Sequence, residues 1–233
     1  MLGMETDVLA ARVAEVRERI ERARERSGRA GAVTLVAVTK THPPEMVRAA
    51  VAAGVADVGE NRVQEMEEKV AVVGREAVRW HLIGHLQRKK AAKVVGLADL
   101  IHSLDSLRLG EALSAAAVKA GVTVRALAQV NVSGEETKGG FEGDEAVEGV
   151  ARLVELPGIE VVGMMTMAPF TDDLHLIRRT FGTARELSEA VARQVPGYRA
   201  EHLSMGMSND FEIAVEEGAT LVRVGSSIFG ERG

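Results

Sequence analysis

Lys40 closes the uncharged run LVAVT and has no basic neighbour in that stretch. A lysine at the end of a core strand points into a pocket rather than into bulk water, and burial disfavours its ammonium form. An amine that is uncharged part of the time can attack a carbonyl and hold it as a Schiff base, so Lys40 is the candidate nucleophile. The plain structural alternative is a lysine that snorkels to water. The second chemical feature is a pair of segments, HLSMGMSND (202–210) and TLVRVGSSIFG (220–230). In the first, Ser204, Gly206 and Ser208 follow an apolar run; in the second, Gly225, Ser226 and Ser227 do. Glycine lets backbone amides approach a phosphate closely, and serine hydroxyls add donors without bulk. Arg223 stands two residues before Gly225, so in a strand the two face the same way.

These groups need a scaffold that gathers them. Short β-branched runs alternate with longer amphipathic stretches, the pattern of parallel strands joined by helices. The expected strands span 33–40, 55–61, 78–85, 100–106, 124–132, 161–167, 201–205 and 220–227. Between them, helices are expected over 44–53, 62–73, 88–95, 107–120, 144–156, 172–193 and 208–217, with Pro44 opening the first and Gly121 and Gly218 closing two others. Eight strands with seven helices between them in 233 residues predict an α/β protein, one (β/α)8 TIM barrel filling 1–233 as a single domain. Alternation alone also suits an open doubly wound sheet. An extra N-terminal helix, Glu5 to Arg26, covers the barrel floor or packs on its outside.

Active sites of such barrels lie at the carboxyl ends of the strands. The residues ending these runs are Lys40, Glu60, Asn61, His85, Gln87, Asp105, Asn131, Thr166, Ser204, Arg223, Gly225 and Ser226. Phosphate most often binds after strands seven and eight, where the two serine–glycine segments fall, and strand eight of a closed barrel neighbours strand one and its Lys40. A flat aldehyde carrying a phosphate would join the two halves, and pyridoxal 5'-phosphate is one. Arg223 would then hydrogen-bond the pyridine nitrogen. An arginine does not give up its proton, so the ring nitrogen would stay unprotonated and the cofactor would be a weak electron sink. A phosphorylated sugar held by Lys40 is a rival reading, which leaves Arg223 without a purpose.

Composition narrows the field. With 34 acidic and 29 basic residues the net charge is −5, which argues against a generally basic nucleic-acid binder, and aromatics make up only 3%. There is no cysteine, which removes disulfides, thiolate nucleophiles and structural zinc sites of the cysteine type. The first thirty or so residues mix acids and bases with no apolar core of a signal peptide, and no later run approaches ~18 uncharged apolar residues, so a cytoplasmic protein without membrane partners is expected. His81 and His85 share a strand face without a third ligand at metal spacing, and no metal site is expected. The NVS at 131–133 matches a glycosylation acceptor only by spacing. Met164, Met165, Met167, Met205 and Met207 read as adaptable packing at strand ends, one of them near a ligand. Arg88, Lys89, Lys90 and Lys93 read as a solvated face or a phosphate contact. Glu135 and Lys138 either pair with each other or gate the opening.

Taken together, VAVTKTHPPE, VGENRVQE, WHLIGHLQ, NVSGEETKGGF, GMMTMAP and HLSMGMSNDFEIAVEEGATLVRVGSSIFGER resemble the pyridoxal-phosphate homeostasis protein family, related to the N-terminal barrel of alanine racemase. The likeness runs from about residue 5 onward. It implies a single barrel that binds pyridoxal phosphate as an internal aldimine with Lys40, without established turnover, buffering the cofactor or delivering it to apo-enzymes. It further implies Asn61 beside the ring, Ser204 and the Gly225–Ser226 backbone on the phosphate, and Arg223 at the pyridine nitrogen. Two positions depart from the family pattern: Val58 replaces a usual Phe, and Lys89 replaces a usual Asn, which leaves the role of that helix start open. A racemase of low activity is the alternative function. Racemisation needs a second acid–base group opposite the lysine; the one tyrosine, Tyr198, precedes the seventh strand, on the wrong side, and a monomeric carrier is the favoured reading.

Overall fold

Strands with aliphatic residues on both faces must be covered on both, and here a closed barrel wrapped in helices covers them. The computed structural model describes residues 2–134, 139–143 and 145–230, the side chains of 2–6 excepted. Eight parallel strands form the barrel: β1 (Thr34–Val38), β2 (Asp57–Glu60), β3 (Arg79–Leu82), β4 (Leu100–Leu104), β5 (Val124–Asn131), β7 (Ile159–Met165), β8 (His202–Ser204) and β9 (Leu221–Val224). β1 pairs with both β2 and β9, and β4 pairs with β5, so the sheet has no open edge and the doubly wound alternative falls. A two-residue strand, β6 (Phe141–Glu142), adds to β5 outside this ring.

The strand period sorts the core into two layers. Leu35, Ala37, Val58, Trp80, Leu82 and Ile101 pack outward beneath the helices. Val36, Leu100, Leu127, Val162, Met165 and Leu221 fill the barrel itself. The outer ring comprises α2 (Pro44–Ala52), α3 (Val63–Val73), the one-turn α4 (Ala91–Val94), α5 (Leu107–Ala120), α6 (Glu145–Val154), α7 (Leu174–Gln194), α8 (Phe211–Glu216) and α9 (Ser226–Phe229). Gly121, at φ 67°, closes α5 in the left-handed conformation that glycine tolerates. The expected helix over 88–95 is a 3-10 turn at Arg88–Lys90 followed by α4.

The N-terminal helix, α1 (Leu2–Ser27), packs against α2, α8 and α9 on the outside of the barrel rather than under its floor. α9 has only four residues and cannot cover β9, so α1 completes the outer ring. Its buried residues Leu9, Val13, Val16, Ile20 and Ala23 recur at helical spacing on one stripe. Burying each larger aliphatic contributes about 1.5–3 kcal/mol. No helix among the described residues is long and apolar enough to cross a membrane. Asn131 is 4% exposed at the end of β5, which makes it a poor glycosylation acceptor.

Candidate functional site

Parallel pairing brings the two chemical features together. Val36 is opposite Arg223 and Ala37 opposite Val224, so one step further Val38 adjoins Gly225. A Cβ at Gly225 would lie 3.4 Å from the Val38 carbonyl oxygen. Lys40 therefore leaves β1 at the same end of the barrel, and on the same side, as the turn that follows β9. The strand is shorter than the sequence pattern suggests: β1 ends at Val38, and Lys40 sits half-buried in a turn. Thr41, next in the chain, has φ 67°, an uncommon conformation for a β-branched residue.

The back of that turn is fixed by α3. Lys69, 3% exposed, donates from Nζ to the Thr39 carbonyl at 2.7 Å and to Glu60 Oε1 at 2.7 Å. Thr39 also hydrogen-bonds Glu60 through its hydroxyl, and the Thr41 amide donates to Glu65 Oε2 at 2.9 Å. Glu60 is wholly buried, and burial pushes its carboxyl up from the usual range against the opposing pull of Lys69 and Thr39. Among the described residues, no hydrogen bond or ion pair engages Lys40. On the far side of the turn, the His42 ring lies 5.1 Å from Phe229 of α9, tying the two halves together.

Beyond β9, the Gly225 and Ser227 amides both face the Ser208 hydroxyl, at 3.2 and 3.5 Å. Gly206 makes this possible: at φ 91°, its Cβ would sit 2.5 Å from that of Ala214, so only glycine fits the turn that carries Ser208 across. Ser226 is exposed at the start of α9. Arg223 is 4% exposed inside the barrel, donating from Nη1 to Ser204 Oγ at 2.5 Å and from Nη2 to the Thr166 carbonyl at 3.1 Å. Burial lowers it to about 10, which leaves it charged at neutral pH. Asn61 is half-buried in the turn after β2, pressed against Gly84, where a Cβ would meet the Asn61 carbonyl at 2.3 Å.

The expected residues thus divide. Lys40, Asn61, Gly225 and Ser226 stand in the turns at the strands' carboxyl ends, with the Arg223 side chain below them in the barrel. Ser204 is wholly buried, its hydroxyl taken by Arg223 and by His102 Nδ1 at 2.8 Å. It underpins Arg223, and Ser208 is the serine that meets the amides of the last turn. His85 is exposed and hydrogen-bonds Asp105 at 2.9 Å, while His81 faces inward; no cluster suited to a metal ion occurs among the described residues. Lys90 and Lys93 reach Gln64 and Glu67 of α3, and Arg88 and Lys89 are exposed. Glu135 and Lys138 lie outside the described residues. Lys69 and His102 escaped the sequence reading. Lys69 could have been found: it falls on the buried face of α3 with Val63 and Met66.

Residues 12–233 match the family model of the alanine racemase N-terminal domain. The chain is 42% identical over 222 residues to the pyridoxal phosphate homeostasis protein of Aquifex aeolicus, covering 95% of this chain and 97% of the relative. It is 36% identical over 230 residues to the protein of that name from Escherichia coli K12, covering 96% and 97%. The structure of PipY from Synechococcus elongatus with pyridoxal phosphate bound superposes with a TM-score of 0.84 at 36% identity, over 95% of this chain and all of that one. The family model over residues 12–233 and relatives 36–42% identical along nearly the whole of both chains show that this chain belongs to the pyridoxal phosphate homeostasis protein family, with the alanine racemase N-terminal-domain fold.

Proposed function

We propose that this chain binds pyridoxal 5'-phosphate at the carboxyl end of its barrel and keeps it in reserve for enzymes that need it. Bound there, the cofactor supplies an aldehyde, with which the Lys40 amine condenses to a carbon–nitrogen double bond with loss of water. The donor set fits such a ligand. The Gly225 and Ser227 amides converge on the Ser208 oxygen, which accepts from both and keeps its own O–H to donate, and a phosphate oxygen seated in that turn would be met by the same set of donors. Arg223 offers a donor that stays protonated, which suits a ring nitrogen acting as acceptor. Asn61 and Ser226 border the same end, and Ser204 holds Arg223 in place.

The observation that carries this reading is the adjacency of the Lys40 turn and the Gly225 turn across β1 and β9. The homeostasis role draws its support from the relatives of that name; buffering or delivery to apo-enzymes by a cytoplasmic monomer is the form of it proposed here. Racemase activity is disfavoured by Tyr198. It is buried ahead of β8, at the opposite end from Lys40, with its hydroxyl 2.7 Å from Ser188. Adding pyridoxal phosphate should produce a new absorbance band that borohydride bleaches while leaving the cofactor irreversibly attached, with a Lys40→Ala protein showing neither the band nor the attachment. Equal bands in both proteins would overturn the reading, and appreciable racemisation of free amino acids would restore the alternative.

A further inference from the structure

Beneath Arg223, the barrel holds a line of polar side chains drawn from four other strands. Ser204 Oγ lies 2.8 Å from His102 Nδ1, His102 Nε2 lies 2.9 Å from His81 Nδ1, and His81 Nε2 lies 3.0 Å from Asp57 Oδ1. Asp57 then receives two hydrogen bonds from Arg79, both 2.6 Å, at the amino-terminal end of the strands. Ser204 and His102 are wholly buried, and Arg223, His81 and Asp57 are each 4% exposed. The line therefore runs from one end of the barrel to the other without contact with bulk water.

Its two ends fix its direction. Arginine only donates, so Ser204 Oγ accepts from Arg223 and has its own proton available for a bare His102 Nδ1. Burial, the largest cause, together with the nearby Arg223 charge holds His102 well below the ordinary histidine range. With one proton on each ring, His81 donates from Nε2 to the Asp57 carboxylate and accepts at Nδ1 from His102 Nε2, which leaves His102 Nδ1 bare. Burial would raise Asp57, but hydrogen bonds from His81 and Arg79 outweigh that and hold it below the usual carboxylate range, an acceptor at the far end.

We propose that Ser204, His102, His81 and Asp57 are positioning residues for Arg223, a one-way chain of donors that locks its guanidinium against the barrel core and fixes it as a donor toward the ligand. Resting on the cofactor reading above, the chain gives the site a preference for a ring whose nitrogen is an unprotonated acceptor. Reversing any one link would leave two donors or two acceptors facing each other in a dry interior, which is why the set acts as a unit.

Two measurements test this. In the ligand-free protein, 15N NMR of the histidine rings should show a bare Nδ1 and a protonated Nε2 on both His81 and His102; a proton on His102 Nδ1 overturns the chain whether or not the cofactor binds. In the second, affinities are compared for pyridoxal phosphate and for its analogue with CH in place of the ring nitrogen. The native protein should prefer the former by about tenfold or more, as expected for a hydrogen bond to a charged group. His102→Leu and Ser204→Ala should bring the ratio toward one, and Ser204→Thr, which keeps the hydroxyl, should restore it. An unchanged ratio in folded His102→Leu protein refutes the positioning role, whereas failure of the native protein to bind either compound counts against the cofactor reading alone.

Discussion

Lys40 and Lys69 both lie at the end of β1, and their surroundings differ in kind. Lys69 is 3% exposed and spends its donors on Glu60 and the Thr39 carbonyl. Lys40 is half-buried, and among the described residues nothing hydrogen-bonds or pairs with it. The same division separates Tyr198, buried against Ser188, from Ser208, which meets the amides of the last turn. Buried polar groups with internal partners specify the fold; polar groups collected at the strands' carboxyl ends are disposed toward something from outside. Burial alone therefore does not mark a lysine as reactive, since the deeper of the two has its donors engaged within the fold.

The sharpest way to break the comparison is to remove Lys69. Lys69→Met strands the Glu60 carboxyl in the core and should cost about 3–5 kcal/mol of stability in denaturant unfolding, with Lys69→Met/Glu60→Gln recovering part of it. If Lys69→Met instead leaves stability intact and abolishes cofactor binding, the roles of the two lysines have been interchanged.

Tyr198 supplies a second test, through pH. Burial pushes its hydroxyl up to about 12, with the Ser188 hydrogen bond pulling weakly the other way. The folded state thus keeps its proton where the unfolded chain has lost it. The stability so contributed is complete below pH 10 and is lost as pH climbs from there to about 12. By linkage the loss is roughly 2–3 kcal/mol. Tyr198→Phe should flatten that segment of the stability curve, and an identical curve in the variant would show the hydroxyl to be free in both states.

On the other side of the comparison, Ser208→Ala removes the half-buried acceptor of two backbone amides and should cost about 1–2 kcal/mol in unfolding, less than either change above. It should weaken pyridoxal phosphate binding about tenfold, the scale of one hydrogen bond to a charged group, and leave binding of unphosphorylated pyridoxal unchanged. Equal losses for both ligands would place Ser208 away from the phosphate.

Much of this arrangement is readable from the chain alone. Period-two aliphatic runs give the eight strands, and Gly121 and Pro44 mark helix ends within a residue of where they occur. The nearness of the Lys40 and Gly225 turns is legible because both follow runs that become neighbouring strands, β1 and β9. The unread part depends on contacts between distant segments. His102 sits in LIHSL, an ordinary buried strand by pattern, and only register brings it between Ser204 and His81. Ser204 and Ser208 look interchangeable in sequence; the positive φ of Gly206 between them sends one into the core and the other to the amides. Helix α1 could be assigned from its periodic stripe, but its docking place follows from the shortness of α9.

The most direct test of the account is to load the protein with pyridoxal phosphate, reduce it with borohydride, digest it and locate the modified lysine by mass spectrometry. The account predicts one dominant adduct, on the peptide containing Lys40. A dominant adduct on any other lysine, or none at all, contradicts it.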